Sequence, residues 1–468
     1  MGLARDLAER IAALSYGDLS EDALYWGKIA MLDTIGVTLA GALEDAPRLL
    51  DEVVGSPGGG PSLIFGTQRR ASALDAAHIN GTAAHALDFD NTSSNIGGHV
   101  SAVMVPALIA AGDASGSSGK DLLLAHAAGF ETARIGLAVN PAHSEKGWHP
   151  TSTLGVFAVT AACARLLGLT VDQTETALAL STSLAAGTKS NFGTMTKPLH
   201  AGNCARGGLL SVMLARKGFT ANPGAFEHKQ GFLNLYSGPG NFDVSRILAG
   251  WGQPFDIVSP GASYKLYPCC YSTHSAIEAA LNLVREHGVF DAKAIARVES
   301  RTSERALAHT DRAQPKSALE AKFSVQYCVA RALMHGKVIL EYFDGDTYAD
   351  PATQMLLAKV HASPYTGKFF SDADRLDAEL KVTLTDGRVL EARVDRPLGR
   401  GAENPIAKED LNAKFRDCAT RVLAAEAADA VCARVWALES LTSVRELTTL
   451  LEAADGEKHN VERLAAVA

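Results

Sequence analysis

The chain reads as a mainly α protein, a large all-helical domain into which a smaller α+β domain is inserted. Three observations predict this. Through the first half, apolar residues recur at helical spacing between clusters of Gly, Pro and Ser such as 55–62 and 115–120. After about Lys265 the texture shifts to β-branched segments flanked by charge. From Lys408 the chain returns to Ala- and Leu-rich helix. The expected boundaries are 1–264 for the first helical part, 265–399 for the α+β domain and 400–468 for the return segment.

The elements follow in order. Leu3, Leu7, Ile11 and Leu14 mark an amphipathic helix. Val100 to Gly112 is apolar throughout and carries a proline. It is too short for a bilayer, which needs ~20 residues, so it reads as a buried helix and no membrane partner is expected. Pro150 and Thr151 open a helix running from Ser152 to Leu167, because proline is tolerated at a helix start. Further helices are expected over Thr176 to Ala186 and His200 to Ala215, the latter with Gly202, Gly207 and Gly208, which let helices approach closely. In the second domain, Ala292 to Ser303 reads as a strand, and Leu376 to Val394 as a hairpin turning at Thr385-Asp386-Gly387-Arg388. Helices at His274 to His287 and Ala318 to His335 would cover that sheet.

The 468 residues, 47% hydrophobic and 21% charged, exceed the size at which one core stops growing, so two domains are expected. Net charge is −8 and basic runs are missing, which argues against nucleic acid as a partner. A small anion would be drawn by local lysines. Seven cysteines, an odd number in a long chain without a secretory-type leader, predict reduced thiols and a cytoplasmic compartment.

Four segments gather chemistry that an apolar core does not need. Asp88, Asp90, Asn91 and Thr92 follow a helix-like run, and a Ser-, Asn- and Gly-rich loop leads on to His99. Carboxylates there accept protons or order a histidine, and Asp90 and Asn91 read equally well as caps. His99 stands at the positive end of an apolar helix, which suits a neutral base or polarising donor. His149 lies between Trp148 and Pro150. Lys197 and His200 flank Pro198 and Leu199 at an expected helix start, where backbone N–H groups plus an ammonium receive carboxylate or phosphate. Lys265, Tyr267, Cys269, Cys270 and His274 fall within ten residues; Lys265 and Tyr267 can bind carboxylate, while Cys270 and His274 can exchange protons.

Metal chemistry has weak support. Adjacent Cys269 and Cys270 lack the usual gap of a zinc site, and His85, Asp88, Asp90 and His99 form the one alternative ligand set. No HExxH, EF-hand, Walker or GxGxxG motif is present, so neither a metal nor an organic cofactor is expected.

Read together, these segments resemble the MmgE/PrpD family over nearly the whole chain. The likeness runs from AMLDTIGVTLAG (30–41) through HALDFDNT (85–92), GWHPTS (147–152), TKPLHAGNCARGG (196–208) and Lys265 to His274. It continues in SALEAKFSVQYCVA (317–330) and NPIAKEDLNAKFRDC (404–418). The resemblance implies an inserted lid domain, a homodimer, and a cofactor-free site in the cleft between the domains. It places Asp88, Thr92, His99, His149, Lys197, Lys265 and Tyr327 on active-site positions. Cys270 departs from the histidine that decarboxylase-like members carry there, and the loop from Asp88 to His99 is one residue longer.

The implied substrate is a small anionic di- or tricarboxylate that loses or gains a proton next to a carboxylate. Lys197 and Lys265 would neutralise carboxylates, with Thr92, His200 and His274 as further binding groups. His149 or His99 would take the proton, Asp88 would orient a histidine, and Tyr327 would donate to the leaving hydroxyl. A lyase of the 2-methylcitrate dehydratase kind is the first expectation. An epimerase of the iminodisuccinate kind, a cis-aconitate decarboxylase and a non-catalytic binding protein are the alternatives.

Overall fold

The computed structural model describes residues 2–55, 59–139, 142–365, 377–400 and 404–453. The protein is mainly helical. Two compact units divide it: one runs to Tyr264 and resumes at Ala407, and the other spans Lys265–Ile406.

In the first unit the amphipathic helix Leu3–Ala13 buries Leu3, Leu7 and Ile11. Glu21–Gly41 begins at Ser20, whose side chain accepts from the Ala23 N–H, with acidic Glu21 and Asp22 in the first turn. From Ile29 to Gly41 every residue is buried, which makes it a central helix. Around it pack Ala73–Ala86, Val100–Ser115, Gly119–Thr132 and Gly155–Leu166, followed in sequence by Val171–Ser181 and Thr196–Arg216. Ala73–Ala86 and Thr196–Arg216 lie closest, because Gly81 and Gly202 face each other. A Cβ on Gly202 would stand 2.1 Å from Thr82 Oγ1, and one on Gly81 3.1 Å from the Gly202 Cα. The close approach needs both glycines.

Several elements depart from the sequence expectation. The run Thr176 to Ala186 stops being α-helical at Ser181. Ser152 to Leu167 divides into Pro150–Thr153 and Gly155–Leu166. Ser115 to Lys120 is a junction of caps: Gly116, at φ +71°, ends one helix, and Ser118 and Asp121 cap the next reciprocally. The stretch Gly119–Val139 is long and apolar enough to cross a membrane, but 89% of its most apolar part is buried inside the protein, as in a core helix.

In the second unit, helices His274–His287 and Val325–His335 pack with a four-stranded sheet. Its order is Val360–Pro364, Ile295–Thr302, Ala378–Leu384, Val389–Val394, the first pair parallel and the others antiparallel. The hairpin at Thr385–Arg388 forms as read, with Gly387 at φ +89°. Leu376, read as the start of its first strand, falls outside the described residues. The helix expected over 318–335 breaks at Phe323 and Ser324, where Ser324 caps the second piece. In the return segment Lys408–Ala419 packs on Glu21–Gly41, and Ala425–Trp436 follows. All seven cysteines are free thiols.

Three buried histidines give the fold a predictable acid response. Burial pushes His126 down to about 4. Burial, then the charges of Lys189 and Lys146, does the same for His143. His85 is also lowered to about 4, by burial first, with Lys197 and His99 adding to the fall and Asp90 opposing it. The unfolded chain therefore takes up these protons first. Stability from each group is complete above about pH 6.5 and is lost as pH falls towards 4. One such group is worth ~2–3 kcal/mol between pH 7 and 4.5. His126→Leu should lose about that much less unfolding free energy over this interval than the parent, measured by urea titration at both pH values; equal losses would remove His126 from the account.

Candidate active site

The helix Ala73–Ala86 is capped by Ser72 and ends beside His85, which is buried. The chain then turns through Asp88, whose φ of +52° is the one positive value at a non-glycine position among the described residues. Aspartate visits this region more readily than most residues because its short polar side chain bonds locally. The turn folds Asp90 back against the helix end. Both its carboxylate oxygens lie 3.1 Å from His85 Nδ1, and Oδ2 lies 2.8 Å from His99 Nδ1. Asp90 has no exposed surface. Burial raises a carboxyl pKa, yet the His99 and His85 imidazoles outweigh it and hold Asp90 well below the ordinary carboxylate range.

His99 occupies the position before Val100–Ser115, and its backbone N–H donates to Thr151 Oγ1 at 3.1 Å. Its other ring nitrogen, Nε2, lies 3.6 Å from Asp88 Oδ1. The same oxygen accepts from Lys197 Nζ at 2.9 Å. The Lys197 and Asp88 side chains keep 19% and 32% exposure, so this pair reaches solvent while Asp90 does not. Asp88 thus pairs with the lysine, and Asp90 takes the histidine-orienting place expected of Asp88.

His149, 3% exposed, precedes Pro150 as expected. Its Nδ1 lies 3.2 Å from Nδ1 of His200, so one nitrogen donates to the other and a single proton serves the contact. Its ring stands 5.9 Å from His85 and meets Phe192 edge-on at 4.9 Å. Burial, then the charges of His85 and Lys197, push His149 well below the ordinary imidazole range; burial also lowers His200. Both rings are neutral at pH 7.

The Lys197 segment differs from its sequence reading. The helix begins at Thr196, a turn before the expected start, so Lys197 lies in its first turn and His200 in its second. Pro198 does not break it, since a first-turn proline gives up an N–H that has no intrahelical partner. Thr92 lies in the short strand Thr92–Ser93, paired with Ala262–Ser263, and is half-buried.

The remaining predicted residues belong to the second unit. Lys265 is buried, at 4% exposure. Cys270 is half-buried and its N–H donates to the Lys322 carbonyl at 2.8 Å. His274 starts its helix between the rings of Tyr267 and Tyr271 at 5.0 and 4.7 Å. Cys269 is the more acidic of two neighbouring thiols. Burial raises it, but Cys328, His274 and Thr273 outweigh that, whereas Cys328 is raised by burial and by Cys269. The Tyr327 hydroxyl, expected to be a proton donor, donates to the Tyr342 carbonyl and accepts from Arg331 Nε at 3.0 Å, with no exposed surface. This commitment removes it from the chemistry proposed below.

His85, Asp88, Asp90 and His99 have one ligand atom each within 4.8 Å of one another, the set noted in the sequence as a metal alternative. A divalent cation would have to compete with the Lys197 ammonium on Asp88 and with two imidazoles on Asp90. The sequence singled out Asp88, His99, His149, Lys197 and His200, and these converge. It missed Asp90 as the centre, and it took His85 only as a ligand. The five-residue spacing from His85 to Asp90 across a helix end is the signal that was available.

Asp90→Asn removes the charge between His85 and His99 while keeping the shape. It should lower turnover by ~10²–10⁴-fold, the range of a general acid–base function, with an unchanged far-ultraviolet spectrum. Parent-like turnover would show that the carboxylate charge is dispensable.

Profiles of the MmgE/PrpD N-terminal and C-terminal domains match residues 5–245 and 267–438. The cis-aconitate decarboxylase of Homo sapiens is 28% identical over 468 aligned residues, covering 96% of this chain and 94% of the relative. That of Aspergillus terreus is 27% identical, with 96% of each chain covered. The mitochondrial 2-methylcitrate dehydratase of Yarrowia lipolytica is 24% identical, covering 88% and 83%. With both domains matched in order along the chain, this protein belongs to the MmgE/PrpD family.

Proposed function

We propose that the protein is a lyase that acts at the carbon next to a carboxylate of a small tricarboxylate, by acid–base chemistry of its own side chains. The observation that carries this is His149, a buried neutral imidazole grouped with a lysine ammonium and a second, carboxylate-held histidine. Lys197 neutralises a substrate carboxylate, which makes the adjacent C–H more acidic; preorganised charge of this kind is often the largest catalytic term. An arriving polyanion also offsets the Lys197 field at His149 and restores its basicity.

In dehydration, the first reading, His149 takes the α-proton. The C–H electron pair becomes the new C=C, the β C–O bond breaks, and the hydroxyl leaves as water with a proton from His99 Nε2. Asp90 holds His99 through Nδ1 and favours its charged form. Decarboxylation is the second reading, favoured by the names of the relatives at 27–28% identity. There a C–C bond breaks, CO2 leaves, and the acid protonates carbon. Exchange of a proton without bond cleavage, the epimerase reading, is tested alongside.

The family resemblance supports extending the proposal to the second unit as a lid that supplies Lys265, Cys270 and His274 to the substrate. It also supports a homodimer, and the odd cysteine count supports a cytoplasmic compartment.

Proton NMR of chelator-treated protein with a panel of di- and tricarboxylates in heavy water is the test. New alkene signals with loss of water, or a product shorter by CO2, are the expected results and separate the two readings. Exchange at an sp³ carbon without cleavage would contradict the lyase, and activity that only added metal restores would contradict the cofactor-free reaction. His149→Ala should cost ~10²–10⁴-fold in kcat. Lys197→Met and Lys265→Met should each raise KM.

A further inference from the structure

Two stretches of the sequence, 30–41 and 404–418, contribute nothing to the site described above. Each supplies one member of a buried ion pair. Asp33, in the central helix Glu21–Gly41, meets Lys414, in Lys408–Ala419, with Oδ1 and Nζ 2.5 Å apart and side-chain exposures of 0% and 3%. Charges removed from water this completely need further partners, and here the further partners lie in one short stretch. Lys414 Nζ also donates to the Phe89 carbonyl at 2.8 Å and lies 3.9 Å from the centre of the Phe89 ring. Asp33 Oδ2 accepts from Asn91 Nδ2 at 2.9 Å, and Asn91 has no exposed surface.

Phe89 and Asn91 flank Asp90, and Asp88 before them holds the left-handed conformation. A non-glycine residue stays in that conformation only where its surroundings over-determine it. The surroundings on the page are this pair: the lysine fixes the backbone on one side of Asp90 and the aspartate fixes the side chain on the other.

We propose that Lys414 and Asp33 are positioning residues of the active site, which clamp the 88–91 turn so that Asp90 meets His85 and His99 and Asp88 meets Lys197. The inference rests on the proposed acid–base role of that cluster. An apolar replacement would support the packing of two helices as well as an ion pair does; it would not hold the Phe89 carbonyl.

The test uses the full-length protein. Lys414→Met alone strands a buried carboxylate and can fail to fold, so the informative variant is the uncharged double Asp33→Asn/Lys414→Met, with Asn91→Ala, which keeps the ion pair, as the second. Each is read by kcat and KM and, independently of any substrate, by the nitrogen-15 signals of the histidines. The expected result is a tenfold or greater loss of kcat in the double variant and a several-fold loss in Asn91→Ala, with KM within about threefold. The His85 and His99 signals should shift and those of His126 should stay. Parent-like kcat and unmoved His85 and His99 signals in either folded variant would overturn the clamp. Moved signals with unchanged kcat would keep the clamp and overturn the reaction assigned to the cluster. If the double variant does not fold, Asn91→Ala decides alone.

Discussion

A carboxylate with no exposed surface is costly to keep charged, and Asp90 stays charged because two imidazoles approach it from opposite elements. His85 comes from the end of one helix and His99 from the start of another. Their convergence on one carboxylate sets where those helices can lie and which ring nitrogens remain for substrate. With Nδ1 of each histidine turned to Asp90, Nε2 of His99 points to Asp88 and the lysine. Remove the carboxylate and two buried rings lose their common partner, at a cost of order 3–5 kcal/mol for a broken buried pair.

Around this centre the cluster limits its own charge. His149 and His200 share one Nδ1 contact, so only one of those nitrogens carries the proton. Lys197 is balanced by Asp88 at the edge that reaches solvent. The result is a set of neutral bases beside a single cation, without a polyanion of its own to repel the substrate. Close helix packing at Gly81 and Gly202 brings the two helices that carry His85 and Lys197 within reach of each other, which ties the small-residue composition of the first unit to the chemistry.

Much of this was legible in the sequence for physical reasons. Helical periodicity and cap residues gave the helices, and Asp-Gly gave the hairpin. Histidines and lysines beside prolines pointed to five residues that converge. What was not legible depended on contacts distant in sequence or on backbone geometry. Asp90 reaches His85 only through a left-handed residue, which no periodicity encodes. Tyr327 is committed by Tyr342, fifteen residues on, and by Arg331, one turn along its helix. Asp33 and Lys414 are separated by 381 residues. Pro198 misplaced a helix start because it reads as a breaker, although the first turn tolerates it.

The central claim is that neutral imidazoles surround a permanently charged buried aspartate. Nitrogen-15 chemical shifts of the histidines, followed from pH 8 to pH 4 in the unliganded protein, test it most directly. The account predicts that His149 stays neutral throughout, that His85 begins to protonate only near pH 4, and that the His85 and His99 Nδ1 resonances keep the shift of a nitrogen bonded to a carboxylate. Ordinary titration of His149 or His85 near pH 6.5 would contradict it.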